Sequence, residues 1–480
     1  MSGQRAISFL LDGKIVSLDF QDPSGPAPTT TVLNYLRNLP GHSGVKEGCA
    51  EGDCGACTVV LSDPSDDTVS YRAIDSCLVF LPMIHGKELI TVENLRKPDG
   101  ALHPVQQAMV ETAGSQCGFC TPGIVMSLFS LYKTKQYPDR NEIDDYLTGN
   151  LCRCTGYKPI VEAASRACVH ETKDQFTKTE RSTLKSLRSI PLASIHIQTG
   201  RQLYWRPENL AEALSLKTRH KDALVVCGAT DIALRVTKKH EFLPKILDLG
   251  AIKELRTIES RGKGLRLGAG ASLSTVLEAL GSSYSAISGI LSVFGSRQIR
   301  NLATLGGNLG TASPIGDLLP VLMAYEATVN LRSEGTARTV PIDDFIVGYR
   351  KTILRPDELI ISVDLPHIPP EAIVKSYKVS KRKDLDISTL SGVFRLTLEN
   401  GRVQNVKLAY GGMADRTKRA LKTEEFIKGK PWDRSTVEKA MDILDGEFNP
   451  ISDARSGSVF RKIAARNLLL KFWSEREQRE

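Results

Sequence analysis

No run of roughly 18 apolar residues occurs in this 480-residue chain, and Met1 to Lys14 holds no charged stretch followed by an apolar core. A membrane span and a secretory leader are therefore not expected, and the expected location is the cytoplasm. Basic runs interleaved with aromatics are missing as well. The 63 basic and 55 acidic residues leave a net charge of +8 spread along the chain, which is a solvated surface and not a nucleic-acid footprint. A G-x-G-x-x-G fingerprint between strand and helix is also lacking. Gly268-Ala-Gly270 has no third glycine, so a Rossmann-type dinucleotide site has little support. No internal repeat or low-complexity tract stands out.

What the chain does have is cysteine, ten in all. In a reducing compartment these argue for metal binding over a disulfide framework. Cys49, Cys54 and Cys57 stand at C-x4-C-x2-C spacing, with Cys77 further on, which is the plant-type [2Fe–2S] arrangement. Four thiolates are needed for two irons, and close spacing lets one loop wrap a cluster. Gly48, Gly52 and Gly55 remove bulk so that backbone N–H groups can reach the sulfurs. A zinc loop is the rival reading. Cys117-x2-Cys120 and Cys152-x-Cys154 form a second quartet, and each pair sits just before an expected helix start, at Thr121-Pro122 and near Lys158. Helix N-termini favour an anionic cluster, although C-x2-C alone also suits zinc or a redox dithiol. Cys168 and Cys227 read as small packed hydrophobes.

The length implies two to four domains. A hairpin is expected around Asp12-Gly13, between alternating Ile7, Phe9, Leu11 and Ile15, Val16, Leu18. Thr31 can cap a short helix through Leu36. Helices are expected after His103-Pro104 and Thr121-Pro122, over Ile143–Leu147, and from Pro159 to Cys168. Residues 170–195 are polar, charged and without clear period, the pattern of an interdomain linker. Alternating helix and strand signals follow to about residue 370, including the strand Leu224–Val226, and a second hairpin is expected at Asn400-Gly401. Thr304-Leu-Gly-Gly-Asn308, running on to Asp317, can approach a pyrophosphate through its adjacent glycines, with Asp317 accepting from a ribityl or ribose hydroxyl. A structural turn would use the same residues.

Glu51-Gly-Asp-Cys-Gly-Ala-Cys57, Gln116-Cys-Gly-Phe-Cys-Thr-Pro-Gly123 and Leu151-Cys-Arg-Cys-Thr-Gly-Tyr157 resemble the signature loops of the xanthine oxidase family of molybdenum hydroxylases. The resemblance implies an α+β multidomain chain. Its parts are a plant-type ferredoxin β-grasp (1–92), a four-helix [2Fe–2S] bundle (93–169), a linker (170–195), a vanillyl-alcohol-oxidase-type FAD domain (196–370) and a C-terminal α+β flavoprotein domain (371–480). By this resemblance both quartets hold [2Fe–2S] clusters, with Gln116 and Cys154 facing a molybdopterin on a partner subunit. Val225, Val226, Cys227, Gly228, Ala229, Thr230, Asp231 and Ile232, with Thr304, Leu305, Gly306, Gly307 and Asn308, would embrace the diphosphate and ribityl chain of FAD. Phe294 and Ile360 would pack near its ring, with Asp317 and Lys378 as polar contacts. Tyr349-Arg-Lys and the Lys381–Asp386 loop match the place where NAD+ approaches. Relatives often carry consecutive acidic residues in that loop, whereas Leu385 separates Asp384 from Asp386 here.

The family's molybdenum domain has no counterpart in this sequence, so the resemblance places it on a large partner subunit, in a complex of two small and two large subunits. The implied activity is the hydroxylation of hypoxanthine and xanthine to urate at the partner, with electrons passing through the clusters and FAD to NAD+. No residue of this chain would do acid–base or nucleophilic chemistry on the substrate. The same module serving an aldehyde, nicotinate or aromatic-thioester hydroxylase is an alternative. A zinc-binding assembly protein and a free-standing flavin reductase are two others.

Overall fold

The computed structural model describes residues 4–22, 24–97, 99–169, 174–281 and 283–477. They divide into two compact units, one of Met1–Leu216, Asp222–Ile252 and Gly295–Ala303, the other of Lys217–Lys221, Lys253–Phe294 and Thr304–Glu480.

In the first unit, the hairpin strands Ala6–Leu11 and Lys14–Asp19 meet at Asp12 (φ 51°) and Gly13 (φ 80°), the positive dihedrals of a two-residue primed turn. Ala6–Leu11 then pairs in parallel with Glu88–Ile90, and Thr58–Ser65 and Thr68–Asp75 complete a five-stranded sheet. Thr31 caps the helix Val32–Arg37, accepting from the Asn34 N–H as its sequence position implied. Ile7, Phe9, Leu33 and Leu36 are buried in one cluster with Cys57 and Cys77, so the strand pattern that makes the core also anchors two of the thiols.

Four helices follow, Pro104–Glu111, Thr121–Thr134, Arg140–Leu147 and Lys158–Ala167. His103 and Asp139 each close a capping box, satisfying N–H groups that a first turn leaves unpaired. The segment expected to be an interdomain linker is largely a fifth helix, Gln175–Ser189, capped by Asp174. Phe176, Leu184 and Leu187 bury one stripe of it in the same core as Phe129 and Tyr132. The absence of a period read there is what the helix corrects; residues 170–173 lie outside the described ones. A four-stranded sheet of Ile195–Gln198, Leu203–Arg206, Lys245–Asp248 and Leu224–Val226, in that spatial order, also belongs to this unit.

The second unit has an antiparallel five-stranded sheet, ordered Ile258–Arg261, Gly264–Gly268, Leu359–Leu365, Thr328–Arg332, Ala337–Pro341. A second antiparallel sheet runs Ile373–Val379, Leu390–Glu399, Arg402–Gly411, Lys418–Arg419. Its middle turn is Asn400-Gly401 (φ 51° and 71°), as expected. The helices Leu421–Ile427, Arg434–Glu447 and Ser458–Glu477 bury Ile427, Val437, Leu444 and Phe472 in one cluster with Phe394 and Tyr410 of this sheet. The stretch 196–370, expected as one flavin domain, thus contributes one sheet to each unit. Among the described residues no helix is long and apolar enough to cross a membrane.

Candidate functional site

The loop carrying Cys49, Cys54 and Cys57 is shaped by residues in the left-handed region: Ala50 (φ 55°), Gly52 (φ 83°) and Gly55 (φ 65°). A Cβ on Gly48 would stand 2.7 Å from the Cys54 sulfur, so the absent side chain makes room for a thiol. The backbone N–H groups of Glu51 and Asp53 donate to Cys49 Sγ at 3.4 and 3.3 Å. A hydrogen bond from the Cys54 thiol, with those N–H donors, draws the Cys49 thiol well below its ordinary range, against the opposing effect of burial. Cys57 and Cys77 are buried with their sulfurs 3.4 Å apart.

The second quartet is more open, with Cys117 and Cys154 exposed and Cys120 and Cys152 half-buried. Cys120 is the residue from which the helix Thr121–Thr134 starts, and Tyr157 (φ 67°) starts Lys158–Ala167, so both expected helix N-termini are present. Tyr157 folds back to accept the Cys152 N–H at 2.8 Å, while Thr155 lies 3.1 Å from Cys152 Sγ. Cys120 hydrogen-bonds to Cys152, and Cys117 to Cys154. Burial first, then Cys152, pushes the Cys120 thiol up to about 12.

In both quartets, then, the thiols pair two by two: 49 with 54, 57 with 77, 120 with 152, 117 with 154. Among the described residues no three Cys, His, Asp or Glu side chains converge on a point for a single ion. A tetrahedral zinc gathers four ligands about one centre, whereas two irons take two thiolates each. The donor sets, the N–H groups aimed at sulfur and the glycine cradle fit two [2Fe–2S] clusters.

Sequence spacing gave no sign of what joins the two loops. The Leu151 N–H donates to the carbonyl of Cys54 at 3.0 Å, one residue before Cys152. Asn150 donates to the Gly55 carbonyl at 3.1 Å and to Thr58 at 3.2 Å, and is itself held by Ser127 at 2.6 Å and Gln298 at 2.9 Å. A Cβ on Gly55 would lie 2.2 Å from the Gly149 carbonyl oxygen, and one on Gly123 would lie 2.1 Å from that of Gly55. Backbone meets backbone here with no room for a side chain.

Of the flavin candidates, Val225 to Ile232 lie in the first unit and the others in the second. Leu224–Val226 is an edge strand parallel to Lys245–Asp248. Gly228 (φ 89°) and Ala229 (φ 62°) turn the chain tightly at its carboxyl end, the position where open parallel sheets take ligands, before the helix Ala233–Thr237. A Cβ on Gly228 would fall 2.0 Å from the Leu302 carbonyl oxygen. Cys227 is half-exposed, whereas Cys168 is fully packed, with a thiol pushed up to about 12 by burial.

In the second unit Thr304 caps the helix Leu305–Thr311 through the Gly307 N–H at 3.1 Å, and the Gly306 N–H donates to Ala269 at 2.7 Å. Asn308 Oδ1 is buried without a hydrogen-bond partner, an acceptor that a ribityl hydroxyl suits. Asp317 and Lys378 come together as a buried ion pair at 3.1 Å, with Ser388 donating to Asp317 and Lys378 to the carbonyl of Val293 beside Phe294. Ile360 is buried on the strand Leu359–Leu365, and Phe294 is half-buried. Within the second unit, the free acceptor on Asn308 beside Gly306 and Gly307 fits the ribityl chain of FAD.

Tyr349 is exposed in the turn between Ile346–Gly348 and Lys351–Thr352. In the 381–386 loop, Arg382 donates to Asp386 through its backbone N–H at 2.8 Å and its guanidinium at 2.7 Å. Leu385 (φ 69°), which interrupts the acidic pair, is tucked inside.

Family models match the chain in sequence order. A 2Fe-2S iron-sulfur cluster binding domain covers residues 22–80 and a [2Fe-2S] binding domain covers 91–165. An FAD binding domain in molybdopterin dehydrogenase covers 196–368, and a CO dehydrogenase flavoprotein C-terminal domain covers 375–476. The chain belongs to the molybdenum hydroxylase family. Xanthine dehydrogenase/oxidase of Gallus gallus is 32% identical over 98% of this chain and 40% of its own length. The chain thus spans about two-fifths of that relative. Among solved structures, carbon monoxide dehydrogenase from Hydrogenophaga pseudoflava superimposes with a TM-score of 0.54 at 22% identity, over 56% of this chain and 94% of that one. Quinoline 2-oxidoreductase from Pseudomonas putida 86 gives 0.52 at 22%, over 57% and 96%. These two likenesses show the fold of the part of the chain that they cover. Within that family, the parts this chain matches are the domains for [2Fe–2S] clusters and FAD.

Proposed function

We propose that this chain is the iron–sulfur and flavin subunit of a xanthine dehydrogenase. Cys49, Cys54, Cys57 and Cys77 hold one cluster, and Cys117, Cys120, Cys152 and Cys154 the other. Val225 to Ile232, Thr304 to Asn308, Phe294, Asp317, Ile360 and Lys378 serve FAD. Held by these residues, two [2Fe–2S] clusters would supply one-electron transfer from a molybdopterin centre on a large partner subunit, and FAD the exchange of single electrons for a hydride to NAD+. The chain's own residues would supply thiolates, N–H donors to sulfur and a closely packed join between the two loops. The observation that carries this reading is the direct join of the two cysteine loops, led by the Leu151 N–H bond to the Cys54 carbonyl. The exposed face of the second quartet, with Gln116, Cys117 and Cys154, meets the partner.

Cysteine and flavin domains on one chain, and identity to a xanthine dehydrogenase, support purines as the substrate class. Purifying the native complex tests this by metal analysis, mass and NADH formation. A cytoplasmic complex of two small and two large chains, containing molybdenum and reducing NAD+ with xanthine, is expected. A molybdenum partner inert to purines moves the function to an aldehyde, nicotinate or thioester hydroxylase. Zinc in place of iron ends the proposal.

A further inference from the structure

Lys238 closes the helix Ala233–Thr237, which follows directly on the turn Gly228–Ile232, and it turns away from that turn toward the first cysteine loop. Its ammonium donates to the carbonyl oxygen of Cys49 at 3.0 Å and lies 3.5 Å from Glu51 Oε2. The same helix packs on Ser76–Leu78, the turn that carries Cys77, and Ala233 shares a buried cluster with Cys57 and Cys77. One short helix therefore touches both stretches that present thiols of this quartet. At the Cys49 carbonyl, Lys238 is a charged donor, and Glu51 is the anion beside it. A [2Fe–2S] cluster with four thiolates gains a negative charge when reduced, so a cation held at a ligand's carbonyl favours the reduced form.

We infer that Lys238 is a positioning and tuning residue for the cluster of Cys49, Cys54, Cys57 and Cys77. It pins the Cys49 loop and raises that cluster's reduction potential, which makes the cluster a better acceptor on the flavin side of the chain. The inference rests on the proposed [2Fe–2S] ligation. Glu51 belongs to the same device: with the lysine charge gone, its carboxylate stands uncompensated and disfavours reduction further. Partial exposure of both side chains screens the effect, so its expected size is modest.

The test uses the intact complex with Lys238→Gln and Lys238→Arg. EPR-monitored redox titration reads the two clusters separately, and iron and flavin content are measured alongside. Lys238→Gln keeps a donor for the carbonyl and loses the charge. At fixed potential its reduced-to-oxidised ratio at the first cluster is expected to fall about threefold, roughly 28 mV at 59 mV per tenfold for a one-electron couple. Lys238→Arg is expected to hold the wild-type midpoint, and the second cluster should stay put in both. Higher salt should shrink the difference. An unchanged first-cluster midpoint in Lys238→Gln overturns the inference. So do equal shifts in the Gln and Arg variants, which would mark a packing effect and not a charge. Absence of any [2Fe–2S] signal in the wild-type protein is a separate outcome that removes the ligation itself, and the inference with it.

Discussion

Gly55 stands where two backbones meet, with φ at 65° and no space for a Cβ before the carbonyl oxygen of Gly149. Alanine there takes on a left-handed strain of about 1–2 kcal/mol, and the overlap adds about 1–3 kcal/mol because a carbonyl cannot rotate away. Gly55→Ala is expected to lower stability by about 2–5 kcal/mol and to cost iron at the first quartet. Denaturant melts and iron per chain would check it; full iron with unchanged stability would count against the packing described. Glu88 is a second telling residue. It is buried on the strand Glu88–Ile90, and burial first, then Asp12, raises its carboxyl to about 7 from 4.5. A raised acid binds its proton more tightly folded than unfolded. Its stabilising contribution is therefore full below about 4.5 and is lost as pH climbs through about 7. Glu88→Gln should flatten that part of the stability profile by up to about 3 kcal/mol, read from thermal melts between pH 4.5 and 8. An unaltered profile would show that the carboxyl ionises freely in place.

At the level of elements, what the sequence announced best was chemistry that depends on a few neighbouring residues. Asp12-Gly13 and Asn400-Gly401 name their turns because only such residues take positive φ cheaply. Thr31, Pro104 and Pro122 mark helix starts for equally local reasons. The cysteine spacings were legible because loop length sets which thiols can meet. The helix Gln175–Ser189 was not, since three apolar residues in a charged segment carry little periodic signal; its stability comes from the core they enter and from Asp174. That carboxylate caps the helix at Thr177 and binds His103 and Lys133 from elsewhere in the chain. Leu187→Ala should cost about 2–5 kcal/mol, as a truncated core leucine does, and an irregular surface linker would register almost nothing. Chemical denaturation separates the two. Asn150, Gln298 and Lys238 stayed hidden for a related reason: each acts on a cysteine loop far off in sequence, and no spacing rule reports such a contact.

For the whole molecule, the two quartets have different exposures, and under the proposed function they stand at different ends of one path. Cys117 and Cys154 reach solvent, whereas Cys57 and Cys77 are enclosed. Electrons that arrive from another polypeptide need an exposed entry, while those that move on within this chain need enclosure. Cys117→Ser strikes only the entry. Iron should fall at the second quartet while the first quartet and the flavin remain filled, because the Cys49 loop draws its N–H donors from Glu51 and Asp53, on its own backbone. If the proposed function holds, xanthine-driven reduction of NAD+ by the assembled complex should then drop at least about tenfold, equivalent to about 1.4 kcal/mol on the overall barrier. Reduction of an artificial dye by NADH, which enters at the flavin, should hardly change. The ratio of the two activities is the quantity to measure. If both fall together, the second quartet supports the fold and not the path. If neither falls, electrons reach the flavin without passing Cys117 at all, and the order of the two clusters proposed for this chain is wrong.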